Sequence, residues 1–410
     1  MGLVVQKFGG SSVASIDKIK NVARRVLAEK AKGNQVVVAV SAMGDITDDL
    51  IALARETGEI QDYRELDMLL ATGEQQSAAL LAMTIRNMGC ESLSMTGWQA
   101  GITTDNVHGK AKISGINPER IKSELEKNRV VVVAGFQGVT SEGEITTLGR
   151  GGSDTTAVAL AASLGADICD IYTDVAGVYT ADPRIVKDAR KLDYISYDEM
   201  LELASLGAVV LQPRAVEFAM LYGVVIQVRS SFSDEPGTMV MEVDKLEKER
   251  IISGVAHDLN VAKVALFDVP DRPGIAKIIF KDLAQANINV DMIVQAAMRD
   301  GRNDIAFTIA KDDLPRALSV VETVKDKIGA YGMAFGEDVA KISIVGAGMK
   351  SNPGVAAAMF EVLAEEGVNI QMISTSEIKV SCIIEAEMIE KAVKAVHKGF
   401  NLDKNDDQAG

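Results

Sequence analysis

Two cations in this sequence stand beside paired glycines. One is in Lys7-Phe8-Gly9-Gly10 and the other in Gly149-Arg150-Gly151-Gly152-Ser153-Asp154. Glycine lets the backbone come close to an anion. A helix start leaves N–H groups unpaired, and these attract negative charge. Arg150 adds a planar fork of donors for a carboxylate or phosphate, and Lys7 adds a point charge for a phosphate. Other residues suit the remaining parts of such a ligand. Glu74, in Thr72-Gly73-Glu74, suits an ammonium group. Asp174 suits a nucleotide or its magnesium, Tyr179 a base and Arg184 a phosphate. Each has a plain structural reading as well: a strand-end lysine, a solvated helix carboxylate, a Pro-containing turn, or Ser153 as N-cap with Asp154 favouring the helix dipole. A glycine pair beside a cation at two separate places favours one anion site.

The elements that must position these groups alternate. Residues 3–7 read as a buried strand, 16–31 as a helix with Ile16, Ile19, Val22, Ala23, Val26 and Leu27 on one face, and 35–40 as a strand ending in Ser41-Ala42-Met43-Gly44. Thr47 opens a helix. Residues 62–88 form one or two helices, with Gly73 marking a break or a close approach. The run Val130-Val131-Val132-Val133-Ala134-Gly135 reads as a strand, followed by the glycine loop and an alanine-rich helix near Ser153. Residues 168–174 form another strand, 201–211 and 213–221 helices, and 224–228 the last strand of the domain. This pattern predicts an α/β fold with a mostly parallel sheet, which binds ligands at the carboxyl ends of its strands. Lys7, Gly9, Gly10, Ser41 and the Arg150 loop all fall at such ends.

Composition narrows the class. The chain has 410 residues, enough for two or three domains. Its net charge of −15 argues against a nucleic-acid partner, so any anion site must be built locally. No apolar run is long enough for a membrane span and no signal peptide is evident. Three scattered cysteines suit a reducing cytoplasm, and three distant histidines give no metal-ligand cluster. Gly109-Lys110 fails the Walker pattern, and Gly346-Ala347-Gly348 lacks the third glycine of a dinucleotide fingerprint.

After a charged connector, 244–250, the chain repeats itself. Val261-Ala262-Lys263 recurs as Val339-Ala340-Lys341. Pro273-Gly274, Phe280, Leu283-Ala284, Asn289 and Met292-Ile293 recur as Pro353-Gly354, Phe360, Leu363-Ala364, Asn369 and Met372-Ile373. Two copies of one strand–helix–strand module are therefore expected.

Together these residues resemble the aspartate kinase family. The resemblance rests on Lys7-Phe8-Gly9-Gly10-Ser11-Ser12, Ser41-Ala42-Met43-Gly44, Thr72-Gly73-Glu74, the Gly149–Asp154 stretch and Tyr172-Thr173-Asp174-Val175-Ala176-Gly177-Val178-Tyr179-Thr180-Ala181-Asp182-Pro183-Arg184. It implies an amino-acid-kinase three-layer sandwich over 1–245 and two ferredoxin-like (βαββαβ) ACT domains. These span 262–336 and 337–400, the second with a strand from 250–261, before a frayed tail at 401–410. It implies ATP-dependent phosphorylation of the side-chain carboxylate of L-aspartate, with Mg²⁺, at the head of lysine, threonine and methionine biosynthesis. Lys7, Arg150 and Asp154 would be catalytic. Thr47, Glu74, Arg150, Gly151, Gly152 and Ser153 would hold aspartate. Lys7, Phe8, Gly9, Gly10, Ser41, Thr173, Asp174, Tyr179, Asp182, Pro183 and Arg184 would hold the nucleotide.

The repeats resemble ACT domains, which implies lysine or threonine as feedback effectors and homo-oligomers formed through these modules. Asp271, Pro273, Gly274, Ile275, Asn289, Asp291 and Gln295 would serve the first module; Asn352, Asn369, Ser374 and Thr375 the second. The family usually carries a lysine where Gly207-Ala208-Val209-Val210 has Val209. Weaker ATP binding, or a charge supplied by Arg184 or Arg214, is the expected consequence. The rival readings are a kinase for a related acidic amino acid and an amino-acid sensor without catalysis.

Overall fold

The computed structural model describes residues 2–60, 62–206, 210–243 and 251–404. Val209, the connector 244–250 and the end of the tail lie outside the described residues. The chain forms two units.

The first unit contains β1 (Leu3–Phe8), α1 (Gly10–Val13), α2 (Ile16–Ala31), β2 (Gln35–Val40), α3 (Ile46–Glu56), α4 (Tyr63–Asn87), β3 (Ser92–Met95), β4 (Ile102–Thr104), β5 (Ile113–Ile116), α5 (Glu119–Glu126), β6 (Val130–Ala134), β7 (Gln137–Val139), β8 (Ile145–Thr147), α6 (Gly152–Leu164), β9 (Ile168–Thr173), β10 (Tyr194–Ser196), α7 (Tyr197–Ser205), α8 (Pro213–Tyr222), β11 (Ile226–Ser230) and β12 (Thr238–Met241). Eight strands make the main sheet, in the order β10-β12-β11-β9-β1-β2-β6-β3. All its pairs are parallel except β11 with β12. Strands β2 and β6 are valine-rich because helices cover a parallel sheet on both faces. The chain winds from β1 to β2 on one side and returns through β9 on the other. That switch point opens a crevice at the end of β1.

Three local readings are corrected. The Arg150 loop does not follow β6 directly; the hairpin β7–β8 intervenes, turning at Gly143 with φ +89°. It belongs to a second sheet, β5-β4-β7-β8. The α6 cap is Gly151 in a left-handed conformation, not Ser153, which lies inside the first turn. Helix α4 runs unbroken through Gly73, where a Cβ would lie 2.9 Å from Ala42 Cβ. The glycine there serves close approach. The predicted helix at 201–211 begins earlier, as α7, with 207–209 outside the described residues, and β12 follows the predicted last strand.

The second unit contains Tyr179–Arg190 and the C-terminal portion of the chain. Its elements are β13 (Gly254–Pro270), α9 (Ile275–Gln285), β14 (Val290–Gln295), β15 (Arg302–Ile309), α10 (Leu314–Ile328), β16 (Gly332–Val345), α11 (Val355–Glu365), β17 (Met372–Thr375), β18 (Lys379–Glu385) and α12 (Ile389–Gly399). One antiparallel sheet, β14-β15-β13-β16-β18-β17, runs through both repeats. Strand β13 serves both: Gly254–Asp258 pairs with the end of β16, and Val261 onward pairs with its beginning. The repeats also exchange side chains. Lys263 Nζ donates to Gln371 Oε1 at 2.7 Å, and its counterpart Lys341 donates to Asp291 at 2.5 Å. Gly274 and Gly354 cap the equivalent helices α9 and α11 with φ +98° and +100°. Ala181 and Val186 are buried in the core around α11 and α12, where Thr180 Oγ1 hydrogen-bonds His397 Nε2 at 2.9 Å.

Candidate active site

A cleft of about 960 Å³ opens at the carboxyl ends of β1, β2 and β9. Lys7, Gly9, Gly10, Ser41, Thr47, Glu74, Arg150, Gly151, Gly152, Ser153, Asp154, Thr173 and Asp174 all line it. Lys7 projects from the carboxyl end of β1, and its Nζ lies 2.6 Å from Asp154 Oδ1. Both side chains are nearly buried. Asp154 sits in the first turn of α6, where the helix dipole favours a negative charge. The loops after β1 and β2 are laced together, Ser41 N–H to Phe8 O and Gly44 N–H to Gly10 O, each at 3.1 Å.

Glu74 is buried, and the close approach at Gly73 sets its Oε1 on the Ala42 N–H at 3.1 Å. Its Oε2 has no partner among the described residues. Burial pushes this carboxyl up to about 7, and the backbone N–H bonds offset that only in part. An unpartnered buried carboxylate oxygen lining a cleft suits an ammonium group.

Several sequence-predicted residues are elsewhere. Phe8 does not line the cleft: its ring is fully buried and stacks on Tyr172 with centroids 4.5 Å apart. Tyr179, Asp182, Pro183 and Arg184 lie in a segment that belongs to the second unit. Apolar anchors Ala181 and Val186 fix that segment in its own core, and Arg184 chelates Asp182 at 2.7 to 3.1 Å. Arg214 does reach the cleft, but its guanidinium donates to Leu148 O and Ala111 O, both at 2.9 Å.

In the second unit, Asp271, Pro273 and Gly274 precede α9, Asn352 precedes α11, and Asn289 and Asn369 precede β14 and β17. Asp291 and Gln295 lie on β14, and Ser374 and Thr375 on β17. Ile275 is buried in the apolar core beneath α9, so its side chain does not face solvent, and Asp291 is held by Lys341.

Comparison with known proteins decides the family. Residues 2–230 match the amino acid kinase family, and 268–324 and 342–400 match the ACT domain. An aspartokinase of Bacillus sp. strain MGA3 is 54% identical over 402 residues, 98% of each chain. The chain belongs to the aspartokinase family. Among solved structures, Escherichia coli aspartokinase III in complex with aspartate and ADP aligns with a TM-score of 0.79 at 25% identity. The match covers 97% of this chain and 99% of that one. The same enzyme with lysine and aspartate aligns at 0.77 and 26%, with the same coverage.

As an aspartokinase, the chain also lines its cleft with residues that the sequence does not assign to the site: Asp67, Gln212 and Lys110, the last of which figures there only in a failed Walker pattern. Asp67 had a signal, since it precedes Glu74 by seven residues, about two helical turns, and so shares its face. Gln212 had none, because it approaches across the fold. A Cβ on Gly151 would fall 1.9 Å from its Cγ, and Gly151 has φ +68°. Gly151→Ala is therefore expected to displace the Arg150 loop and lower kcat/KM for L-aspartate by about 10²-fold. Gly165→Ala is the control, left-handed as well but with open space around it. Equal losses in the two variants would leave only backbone strain as the cause.

Proposed function

We propose that the cleft transfers a phosphoryl group from ATP to the side-chain carboxylate of L-aspartate, giving 4-phospho-L-aspartate. The observation that carries this reading is the arrangement around one opening: the Lys7–Asp154 pair, the Arg150 loop at a helix start, and the open Oε2 of buried Glu74. Glu74 receives the substrate ammonium and Arg150 its α-carboxylate. Thr47, Ser153 and the Gly151–Gly152 backbone complete the aspartate pocket. Lys7 and the Gly9–Gly10 backbone face the transferring group, while Ser41, Thr173 and Asp174 serve the nucleotide.

The attacking carboxylate is already ionised near neutrality, so no general base is needed. Its oxygen forms the bond to phosphorus as the bond to ADP breaks. The protein's task is alignment and stabilisation of charge on the transferring oxygens. Among the described residues no group of three metal-ligating side chains exists. The cleft offers Asp174 and a Lys7-bound Asp154, which fits a Mg²⁺ that arrives on the phosphates and keeps its waters. Such an ion neutralises phosphate charge when bound.

The relative crystallised with lysine supports the reading that the ACT modules sense a product amino acid, lysine or threonine, and bias the enzyme by differential binding. Exposed edge strands β14 and β17 suit assembly of copies through these modules. No helix among the described residues is long and apolar enough to cross a membrane, and we place the activity in the cytoplasm. The test is aspartyl-hydroxamate formation from MgATP, L-aspartate and hydroxylamine, with and without lysine plus threonine. Activity that falls with the amino acids is expected. Activity indifferent to them would reduce the modules to an assembly device. No activity with aspartate, glutamate or acetylglutamate would favour a sensor.

A further inference from the structure

Within the loop that carries Arg150, Gly152 N–H donates to Gly149 O at 3.0 Å, which closes its tip but does not hold its start. The loop leaves β8 at Thr147, bends through left-handed Gly149 and Gly151, and enters α6. Something outside the loop must fix it. Asp67 is placed to do so. It projects from α4, is fully buried, and lines the cleft. Its Oδ1 accepts from Thr147 Oγ1 at 2.5 Å. Gly109 N–H lies 3.1 and 3.0 Å from its two oxygens, and His108 Nδ1 lies 2.9 Å from Oδ2. Thr147 begins the Arg150 loop, while His108 and Gly109 belong to the neighbouring β4–β5 loop. The two loops are joined directly as well, Ala111 N–H donating to Thr147 O at 2.9 Å. On their far end Arg214 bridges Leu148 O and Ala111 O.

We propose that Asp67 is a positioning residue for the aspartate pocket, setting the Arg150 loop against Glu74. This rests on the reading that Arg150 and Glu74 take the two ends of the amino-acid head group. Asp67 and Glu74 stand two turns apart on one unbroken helix. The helix that holds the ammonium acceptor thus also anchors the loop that receives the α-carboxylate. The separation of the two subsites is fixed by α4 rather than by the loop itself. A buried carboxylate is a costly way to stabilise a fold, since apolar residues of similar volume serve as well or better. Here it supplies several acceptor positions at one point, where an asparagine would turn an N–H₂ toward some of the same donors.

The test compares Asp67→Asn, Thr147→Val, Thr147→Ser and Arg150→Ala by steady-state kinetics in both substrates. Asp67→Asn is expected to lose about 10²-fold in kcat/KM for L-aspartate, mainly through KM, with KM for MgATP within about twofold. Thr147→Val, which removes one hydroxyl and keeps the shape, is expected to lose about tenfold in the same parameter, and Thr147→Ser to restore it. Thr147→Val also keeps the test open if Asp67→Asn folds poorly. Arg150→Ala separates the two levels of the argument. If it raises KM for aspartate while Asp67→Asn and Thr147→Val do not, or move both KM values together with a fall in Tm, Asp67 is structural and the proposal is overturned with the pocket intact. If Arg150→Ala leaves KM for aspartate unchanged, the pocket assignment fails and this proposal falls with it.

Discussion

Lys7→Met is expected to lower kcat by about 10³-fold, close to the upper range for loss of one preorganised donor at a developing negative charge. The side chain sits at the end of the central strand β1, with Asp154 at 2.6 Å fixing its Nζ and Gly9 leaving room beside it. A methionine keeps an unbranched side chain one atom shorter and removes the charge. It also leaves Asp154 without its counter-ion in a nearly buried place, which should destabilise the fold by about 3 kcal/mol. These two consequences can be separated. The double variant Lys7→Met/Asp154→Asn removes both charges, so it should recover most of the stability and none of the activity. Urea unfolding and an ADP-release assay on the four proteins complete the cycle. A single variant retaining more than a tenth of wild-type kcat would remove Lys7 from the chemistry. A double variant with restored turnover would mean that the charge balance, and not the cation, is what matters.

The parts of this site that could be read from sequence are those encoded locally. Valine runs in β2 and β6 mark a parallel sheet because both faces are covered. Glycine pairs at the ends of β1 and before α6 mark close approach. The repeat marks two modules because each copy keeps its Pro-Gly helix start. What was not legible depends on contacts across the fold. Glu74 in isolation is a helix carboxylate, and only the approach of Ala42 over Gly73 buries it. Gly151 reads as a flexible loop glycine until Gln212 is found against it. The hairpin β7–β8 between β6 and the Arg150 loop is made of three-residue strands, too short for a periodicity to show. Tyr179, Asp182 and Arg184 follow Asp174 closely in sequence, which suggested one nucleotide site. Yet Ala181 and Val186, spaced among them, are apolar anchors for the second unit's core. Proximity along the chain says less about how this segment packs than its apolar spacing does.

Glu74→Gln is expected to make the protein more stable and the enzyme much worse, with the first effect depending on pH. The folded carboxyl titrates at about 7, against an ordinary value of 4.5, because burial penalises its charge. A raised carboxyl costs stability where it is ionised in both states. The cost is therefore complete above pH 7, shrinks as pH falls from 7 to 4.5, and is absent below. The span corresponds to about 3 kcal/mol. Glutamine keeps the Ala42 N–H acceptor and carries no charge, so it should raise the unfolding free energy by roughly that amount at pH 8 and by little at pH 5. Catalysis should respond in the opposite sense. Wild-type kcat/KM for L-aspartate is expected to fall tenfold per unit as pH drops below about 7, because the free enzyme must ionise Glu74 before it can receive the ammonium. In Glu74→Gln that slope should vanish, together with about 10²-fold of kcat/KM at pH 8. KM for MgATP should stay near the wild-type value. Chemical denaturation at pH 5 and pH 8, run beside the two pH–rate profiles, measures both effects on the same proteins. A variant no more stable at pH 8 than wild type would mean that solvent reaches Oε2 and relieves the burial. An unchanged pH–rate slope would mean that another group carries the ammonium, and would take Glu74 out of the aspartate pocket.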